Sequence, residues 1–153
     1  AFLEEVLLWL SENLPLNPNP KKLCWGDSRL GNILFENFQV KSLLDWEMAT
    51  IGDPLCDLAW GLTTDDVSSY GLNIEKLPGS ISNEEAIKFW EKNTGYSAEN
   101  FFYYRILCLF KFSVIMIRVA KKLIHNEIMP LDSDFHVNNH VSNYLRQEFN
   151  EKN

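Results

Sequence analysis

The sequence predicts one α+β domain over residues 1–153, mainly helical, with a small β-hairpin that carries a polar loop. Three observations predict this fold. Hydrophobic residues make up 46% of the chain and charged residues 23%, which is typical of a globular domain. Apolar residues recur at helical spacing in the first segment and through the second half. Short apolar runs bounded by turn residues, typical of strands, are concentrated between residues 22 and 46.

The first third of the chain predicts a helix followed by three strands. Apolar residues on one face indicate a helix over residues 2–13. The prolines at 15, 18 and 20 end that helix and form a stiff connector. The third strand returns after a turn at residues 36–39 and pairs with the second as a hairpin. The predicted strands cover residues 22–25, 32–35 and 40–46.

The remainder of the chain predicts four helices. Asp53 followed by Pro54 is a favourable start for the first of them, which we expect to end near Leu62. The polar residues 63–79 are expected to form an irregular loop. A capping-box pattern begins at Ser82 and opens the next helix. The last three helices are expected over residues 82–95, 97–125 and 134–150, the final one with Val137, Val141, Tyr144 and Leu145 facing inward.

Charge and cysteine content exclude several classes of function. The net charge of −7 argues against a broad electrostatic surface for nucleic acid or anionic lipid. The most apolar segment, residues 101–120, is interrupted by Arg105, Lys111 and Arg118, so we expect no membrane span. The three cysteines form no C-x-x-C pair and are predicted to be reduced thiols in a cytoplasmic protein.

Three polar residues flank the predicted strands at positions where side chains can converge. Asn32 follows Asp27 on the loop between the first two strands, and Asp45 ends the third strand. Amide and carboxylate oxygens suit Mg²⁺ when phosphates and water complete its shell. A second carboxylate could accept a proton from an attacking hydroxyl, and the planar donors of Arg29 suit a phosphoryl group. The bland alternative is turn capping, for which Asp and Asn are also favoured.

The segments W-G-D-S-R-L-G-N-I-L-F (25–35) and S-L-L-D-W-E-M-A-T-I-G-D-P-L-C-D-L-A-W (42–60) resemble the aminoglycoside phosphotransferase-like kinases. Within that family they are similar to the branch related to the kinase-like domain of some acyl-CoA dehydrogenases. The resemblance implies the C-terminal lobe of a protein-kinase-like fold, in which the small hairpin carries the catalytic and metal loops. It also implies transfer of the γ-phosphoryl group of ATP or GTP to a hydroxyl of a small molecule.

The resemblance assigns roles to individual residues. Asp27 would be the catalytic aspartate that orients and deprotonates the acceptor hydroxyl, and Arg29 would lie near the transferred phosphate. Asn32 and Asp45 would hold Mg²⁺ and thereby the nucleotide. Glu47 would either help to hold a second metal ion or simply be solvated. The carboxylate of Asp57, on the following helix, would brace the catalytic loop through backbone N–H groups.

Two departures from the family pattern bear on activity. Trp25 stands where the family usually has histidine, which puts the bracing of the loop in doubt. The sequence also contains no strand-rich segment with a glycine-rich loop and its lysine. We therefore expect an isolated C-terminal lobe that is inactive alone and works with a missing N-terminal lobe or as an oligomer. The alternative is a non-catalytic kinase-like module with a binding or regulatory role.

Overall fold

Five α-helices and four short strands make up residues 2–152, the part of the chain that the computed structural model describes, with side chains through residue 151. The helices are α1 (Phe2–Glu12), α2 (Leu55–Ser69), α3 (Asn83–Thr94), α4 (Phe101–His125) and α5 (His140–Lys152). The strands are β1 (Lys22–Cys24), β2 (Ile33–Glu36), β3 (Gln39–Leu43) and β4 (Thr50–Gly52). Short 3₁₀ turns at Leu30–Asn32 and Tyr70–Leu72 precede β2 and follow α2. The α+β, mainly helical prediction is confirmed.

The strands form two antiparallel ribbons of two strands each. β2 and β3 pair as the predicted hairpin, with Ile33 opposite Leu43. Its turn places Asn37 and Phe38 at positive φ (50° and 61°), as two-residue hairpin turns require. β1 pairs with β4, a strand that the sequence analysis missed because it spans three residues. The two connections between the ribbons therefore run side by side, and we name them loop A (residues 25–32) and loop B (residues 44–49).

Helix α2 continues well past its predicted end. Residues 63–69, expected to be part of an irregular loop, form its last two turns. Their polar side chains are accommodated by bonds to the preceding turn: Thr64 Oγ1 donates to the Trp60 carbonyl at 2.9 Å and Ser69 Oγ to the Asp65 carbonyl at 2.5 Å. Val67 is buried against the other helices. Tertiary packing here outweighs the weak helix propensity of a polar segment.

The predicted starts of two other helices were also wrong. The long helix α4 begins at Phe101, because Ser97 Oγ instead accepts a hydrogen bond from Glu99 N in the preceding turn. Helix α5 begins at His140, and residues 134–139 are turns held by Asp134, whose carbonyl accepts from Val137 N and Asn138 N. Val137 accordingly lies outside the helix and is exposed, whereas Val141, Tyr144 and Leu145 are buried as expected. The capping box at Ser82 is present, and Gly95 ends α3 at φ 72°.

Two apolar clusters share α4 as their common wall. One cluster joins α1, α2, α4 and α5 around Val6, Ile106, Leu109 and Leu145, all completely buried. The other lies under loops A and B, where Leu55, Ala59 and Trp60 of α2 pack on Tyr104 and Cys108 of α4. The second cluster supports the polar loops from below. No helix within residues 2–152 combines the length and apolar character needed to cross a membrane.

Candidate active site

The backbone of loop A is held by a carboxylate at the start of α2. Asp57 accepts hydrogen bonds from Trp25 N (2.7 Å) and Gly26 N (2.8 Å), one on each oxygen. The hydroxyl of Ser28 donates to the backbone carbonyl of Asp57 at 2.5 Å. The two bonds to the Asp57 carboxylate are charge-assisted and about twice as strong as neutral ones. They fix the backbone on both sides of Asp27.

The Asp27 carboxylate receives three donors within hydrogen-bond distance. Its Oδ2 accepts from Asn32 Nδ2 at 2.7 Å and from Arg29 Nε at 3.1 Å. Its Oδ1 accepts from Trp60 Nε1 at 2.7 Å. The side chain is 14% exposed, whereas that of Arg29 is 52% exposed. The carboxylate is thus oriented by its neighbours and still open to solvent on one side.

Two glycines allow loop A to lie directly against loop B and α2. Gly26 has φ +90°, and a Cβ there would come within 2.2 Å of the Met48 carbonyl oxygen in loop B. A Cβ on Gly61 would come within 2.7 Å of the Ser28 carbonyl oxygen. Contacts this short exclude any larger residue without movement of the backbone. Close backbone approach therefore explains both glycines.

The two loops are also tied by the tryptophan that replaces the histidine of the family pattern. Trp25 is buried, and its Nε1 donates to the Leu44 carbonyl at 2.7 Å. Leu44 N in turn donates to the Asn32 carbonyl at 2.8 Å. The Trp25 ring also lies 6.1 Å from that of Trp46. The Trp25 indole thus supplies a hydrogen bond between loops A and B. This is the position at which the departure from the family pattern put the bracing of the loop in doubt.

Asn32 and Asp45 end up at the same end of the hairpin. Asn32 is bonded to Leu44 through the backbone, and Asp45 is the next residue, with φ 58°. A left-handed aspartate is uncommon and often marks a site of function. The Asp45 carboxylate accepts no hydrogen bond from any residue of the described chain. Glu47 is exposed and likewise forms no hydrogen bond with Asp27, Asn32 or Asp45 among the described residues.

The side chains of Asn32 and Asp45 are suited to a hard cation that also binds phosphate and water. The Asn32 amide nitrogen is committed to Asp27, which directs its carbonyl oxygen elsewhere. Within residues 2–152 no group of three or more His, Cys, Asp or Glu side chains is arranged to hold a metal ion. A protein cage is therefore not formed among the described residues, and the side-chain oxygens that Asn32 and Asp45 offer at this end of the hairpin are those of one amide and one carboxylate. Mg²⁺ is usually bound by few protein oxygens with phosphates and water.

Asp53 is occupied by structural bonds. Its carboxylate accepts from Leu55 N (2.8 Å), from Asn19 N (2.9 Å) and from the Tyr104 hydroxyl (3.2 Å). Burial, together with the neighbouring Asp53 charge, raises the pKa of Tyr104. Asp53 therefore caps α2, as its sequence pattern predicts, and anchors the proline-rich connector through Asn19.

Nucleophilic cysteine chemistry is not supported. Cys24, Cys56 and Cys108 are free thiols. Burial raises the pKa of both Cys56 and Cys108 to about 12, so neither is a thiolate near neutral pH.

Two open cavities flank the polar loops. One, of about 780 Å³, lies between loop B and α4 and is lined by Glu47, Met48, Lys111, Val114, Arg118 and Lys122, among others. The other, of about 520 Å³, lies between loop A and the middle of α2, with Arg29, Gly31, Asp65 and Ser80 in its wall. Both volumes suit a small organic molecule.

Trp60 was missed by the sequence analysis as a contact of Asp27. It belongs to the D-L-A-W motif and lies three residues after Asp57, so the two side chains share one face of α2. An aspartate and an indole N–H on the helical face beneath a polar loop could have indicated the contact.

Comparisons with known proteins show which family this chain belongs to. The sequence model of the phosphotransferase enzyme family (APH) matches residues 1–89, more than half of the chain. The chain belongs to this family. Acyl-CoA dehydrogenase family member 11 from Pongo abelii is 35% identical to this phosphotransferase-family chain over 124 residues, which is 74% of the chain and 16% of the relative. The human protein of that name is 48% identical over 59 residues, which is 37% of the chain and 8% of the relative.

A solved structure supports the fold of this family member. A protein from Ralstonia eutropha assigned as an aminoglycoside phosphotransferase superposes with a TM-score of 0.70 over 95% of the chain, at 19% identity. The match covers 46% of that protein. The chain thus spans less than half of its structural neighbour and less than a fifth of these curated relatives. The recognition of an aminoglycoside phosphotransferase-like, kinase-like fold is confirmed.

Proposed function

We propose that, in the full-length protein, this chain supplies the catalytic side of a Mg²⁺-dependent kinase. The enzyme would transfer the γ-phosphoryl group of ATP or GTP to a hydroxyl group of a small molecule. One observation carries the proposal: the Asp27 carboxylate is hydrogen-bonded to Asn32, and Asn32 is bonded through its backbone to the residue before Asp45. A base and two metal ligands are the parts that phosphoryl transfer requires of this lobe.

Each side chain has a separate task in the transfer. Asn32 and Asp45 would hold Mg²⁺, which supplies charge neutralisation on the nucleotide phosphates when bound. Asp27 accepts the proton of the acceptor hydroxyl as the new oxygen–phosphorus bond forms and the bond from the γ-phosphorus to the leaving nucleoside diphosphate breaks. Arg29, half exposed beside Asp27, can turn from the carboxylate to the transferring phosphoryl group. Glu47, exposed on loop B, is left as a ligand of a second metal ion or as a solvated group.

The cellular setting belongs to the same proposal. The free thiols of all three cysteines fit a reducing compartment, and we place the protein in the cytoplasm. The acceptor is a small molecule rather than nucleic acid or lipid, consistent with the net charge of −7. A further lobe or a second copy of the chain would complete the nucleotide site.

The base is tested by replacing Asp27 with alanine in the full-length protein. We expect phosphoryl transfer to fall by about 10²–10⁴-fold, measured as ATP consumption in the presence of a panel of hydroxyl compounds. Nucleotide binding should be retained, because Asn32 and Asp45 remain. Unchanged transfer in Asp27→Ala would reject the assignment of the base.

The metal site is tested separately by Asp45→Ala. We expect Mg²⁺-dependent ATP binding to be lost in calorimetric titrations, whereas Glu36→Ala, which removes an exposed carboxylate from the same hairpin, should bind normally. Normal binding by Asp45→Ala would contradict the ligand role. The alternative function, a non-catalytic binding module, predicts Mg²⁺-dependent nucleotide binding by the wild type with no transfer to any acceptor.

A further inference from the structure

Resting on the proposed function, we infer that Trp60 is a positioning residue for Asp27. Its indole N–H is the hydrogen-bond donor that fixes Oδ1 of the carboxylate, at 2.7 Å. The other two donors, Asn32 and Arg29, both bind Oδ2. Among the described residues, rotation of the Asp27 carboxylate about its Cβ–Cγ bond is therefore restricted by loop A at Oδ2 and by α2 at Oδ1.

The donors on the two oxygens differ in mobility. Arg29 is half exposed and belongs to the same loop as Asp27, so it can leave the carboxylate when phosphate is present. Trp60 is 4% exposed and is part of the apolar cluster beneath the loops. Because the indole cannot move without disturbing that cluster, its N–H remains aimed at Oδ1 whichever partner Arg29 binds.

Neighbouring side chains hold the indole ring in place. The Phe112 ring lies 6.0 Å away at 38°, and Lys111 Nζ lies 5.0 Å from the ring centroid. The helix that carries Trp60 is itself attached to loop A through Asp57 and through the close approach at Gly61. The position of Asp27 is thus fixed by α2 and α4 as well as by its own loop.

The chemistry of the indole decides what it can contribute. Tryptophan Nε1 is a donor only, so Trp60 cannot relay the proton that Asp27 accepts. Its N–H occupies one lone pair of Oδ1 and leaves the remaining lone pairs of the carboxylate for partners on the open side. A misplaced base costs catalysis far more than binding, so the effect of removing this donor should fall on kcat.

The experiment replaces Trp60 with phenylalanine in the full-length protein, which keeps a ring and removes the N–H. We expect kcat to fall about 10- to 100-fold with the KM for ATP unchanged. Trp90→Phe serves as the control, because it removes an indole that forms no hydrogen bond with Asp27 among the described residues. It should retain the wild-type kcat.

A spectroscopic measurement keeps the inference testable if Trp60→Phe does not fold. In the ¹⁵N-tryptophan-labelled full-length protein, Asp27→Ala should shift the Trp60 indole N–H resonance and leave those of Trp9 and Trp90 in place. An unmoved Trp60 resonance would overturn the inference. So would an unchanged kcat in Trp60→Phe while Asp27→Ala abolishes transfer, an outcome that leaves the proposed function standing. Full activity in Asp27→Ala would instead remove the proposed function and this inference with it.

Discussion

Two aspartates near opposite ends of α2 use their charge in different ways. Asp57 accepts two backbone N–H groups from loop A and so attaches a loop to a helix. Asp66 is 1% exposed and forms ion pairs with Arg105 of α4 and Lys76 of the segment before α3, each at 2.7 Å. It also accepts from Asn83 Nδ2 at 2.6 Å. One carboxylate positions the candidate site, and the other joins the helices that support it.

The network around Asp66 extends across the helical bundle. Arg105 is itself buried and donates to Glu148 of α5 from Nε at 2.7 Å, and from Nη2 to the Tyr144 hydroxyl at 2.8 Å. Burial opposes the charge of Arg105, but its hydrogen bonds to Glu148 and Asp66, together with the charge of Glu148, outweigh burial and raise the pKa of the guanidinium. A buried charge that is fully paired is costly to leave unpaired. We therefore expect substitutions at the Asp66 end to change stability and substitutions at the Asp57 end to change activity.

The largest expected effect is that of Arg105→Met. Removing the guanidinium leaves Asp66 buried beside a single cation, and we expect the free energy of unfolding to fall by about 3–5 kcal/mol, measured by urea denaturation. Arg118→Met, on an exposed position of the same helix, is the matched control and should change it by less than about 0.5 kcal/mol. Equal costs for the two variants would show that the network contributes no specific stability.

Asp57→Asn is the counterpart at the other end of the helix. The amide retains one acceptor oxygen, so one of the two N–H groups of Trp25 and Gly26 loses its partner. We expect a cost of about 1–3 kcal/mol in stability and a fall in transfer of about tenfold or more, because loop A carries the base. Glu84→Gln removes an exposed carboxylate of α3 and should leave transfer unchanged. Normal activity in Asp57→Asn would break the comparison.

The Asp57 end of the molecule was largely predictable from the sequence. Motif spacing indicated that Asn32 and Asp45 should converge beside Asp27. The structure places Asp27, Arg29 and Asn32 of loop A in contact, and it links Asn32 by a backbone hydrogen bond to Leu44, the residue before Asp45. Their roles remain predictions. The hairpin and the capping box at Ser82 also follow from local patterns, since turn residues and caps act within a few positions along the chain.

The Asp66 end was not predictable in the same way. Residues 63–69 are polar, and their helical conformation depends on partners such as Arg105 that lie far away in sequence. The pairing of β1 with β4 likewise joins two three-residue segments across the whole hairpin. Neither feature has a local signal, because the stabilising contacts are supplied by the tertiary structure. The Trp60–Asp27 contact also joins residues far apart in sequence, although the D-L-A-W motif contained a signal for it.

Acid sharpens the comparison at Asp66. Burial works against its ionised form, but hydrogen bonds from Lys76, Arg105 and Asn83 outweigh burial and hold its pKa below the usual 3.8. The unfolded chain therefore takes up this proton at higher pH than the folded protein does. The contribution of Asp66 to stability is complete above the unfolded-state value and is lost as the pH falls through the lowered folded-state pKa.

Denaturation at a series of pH values between about 2 and 6 checks this sign. We expect the wild type to lose stability toward the acidic end more steeply than Asp66→Asn, whose side chain does not titrate. The comparison concerns the slopes, since the variant also has a lower stability throughout. Parallel curves would show that Asp66 carries no net stabilising charge in the fold.

The smallest expected effect is that of Lys76→Met, at the edge of the same network. Lys76 joins the segment before α3 to Asp66 and to the exposed Asp65, at 2.7 and 2.6 Å. Arg105 and Asn83 still hold Oδ2 of Asp66, but Lys76 is the partner of the buried Oδ1. We therefore expect a cost of about 1–2 kcal/mol, below that of Arg105→Met. Lys88→Met, which removes an exposed i,i+4 pair with Glu84, is the control and should cost still less in urea denaturation. A loss as large as that of Arg105→Met would mean that the segment before α3, and not the α2–α4 pair, is what keeps Asp66 charged.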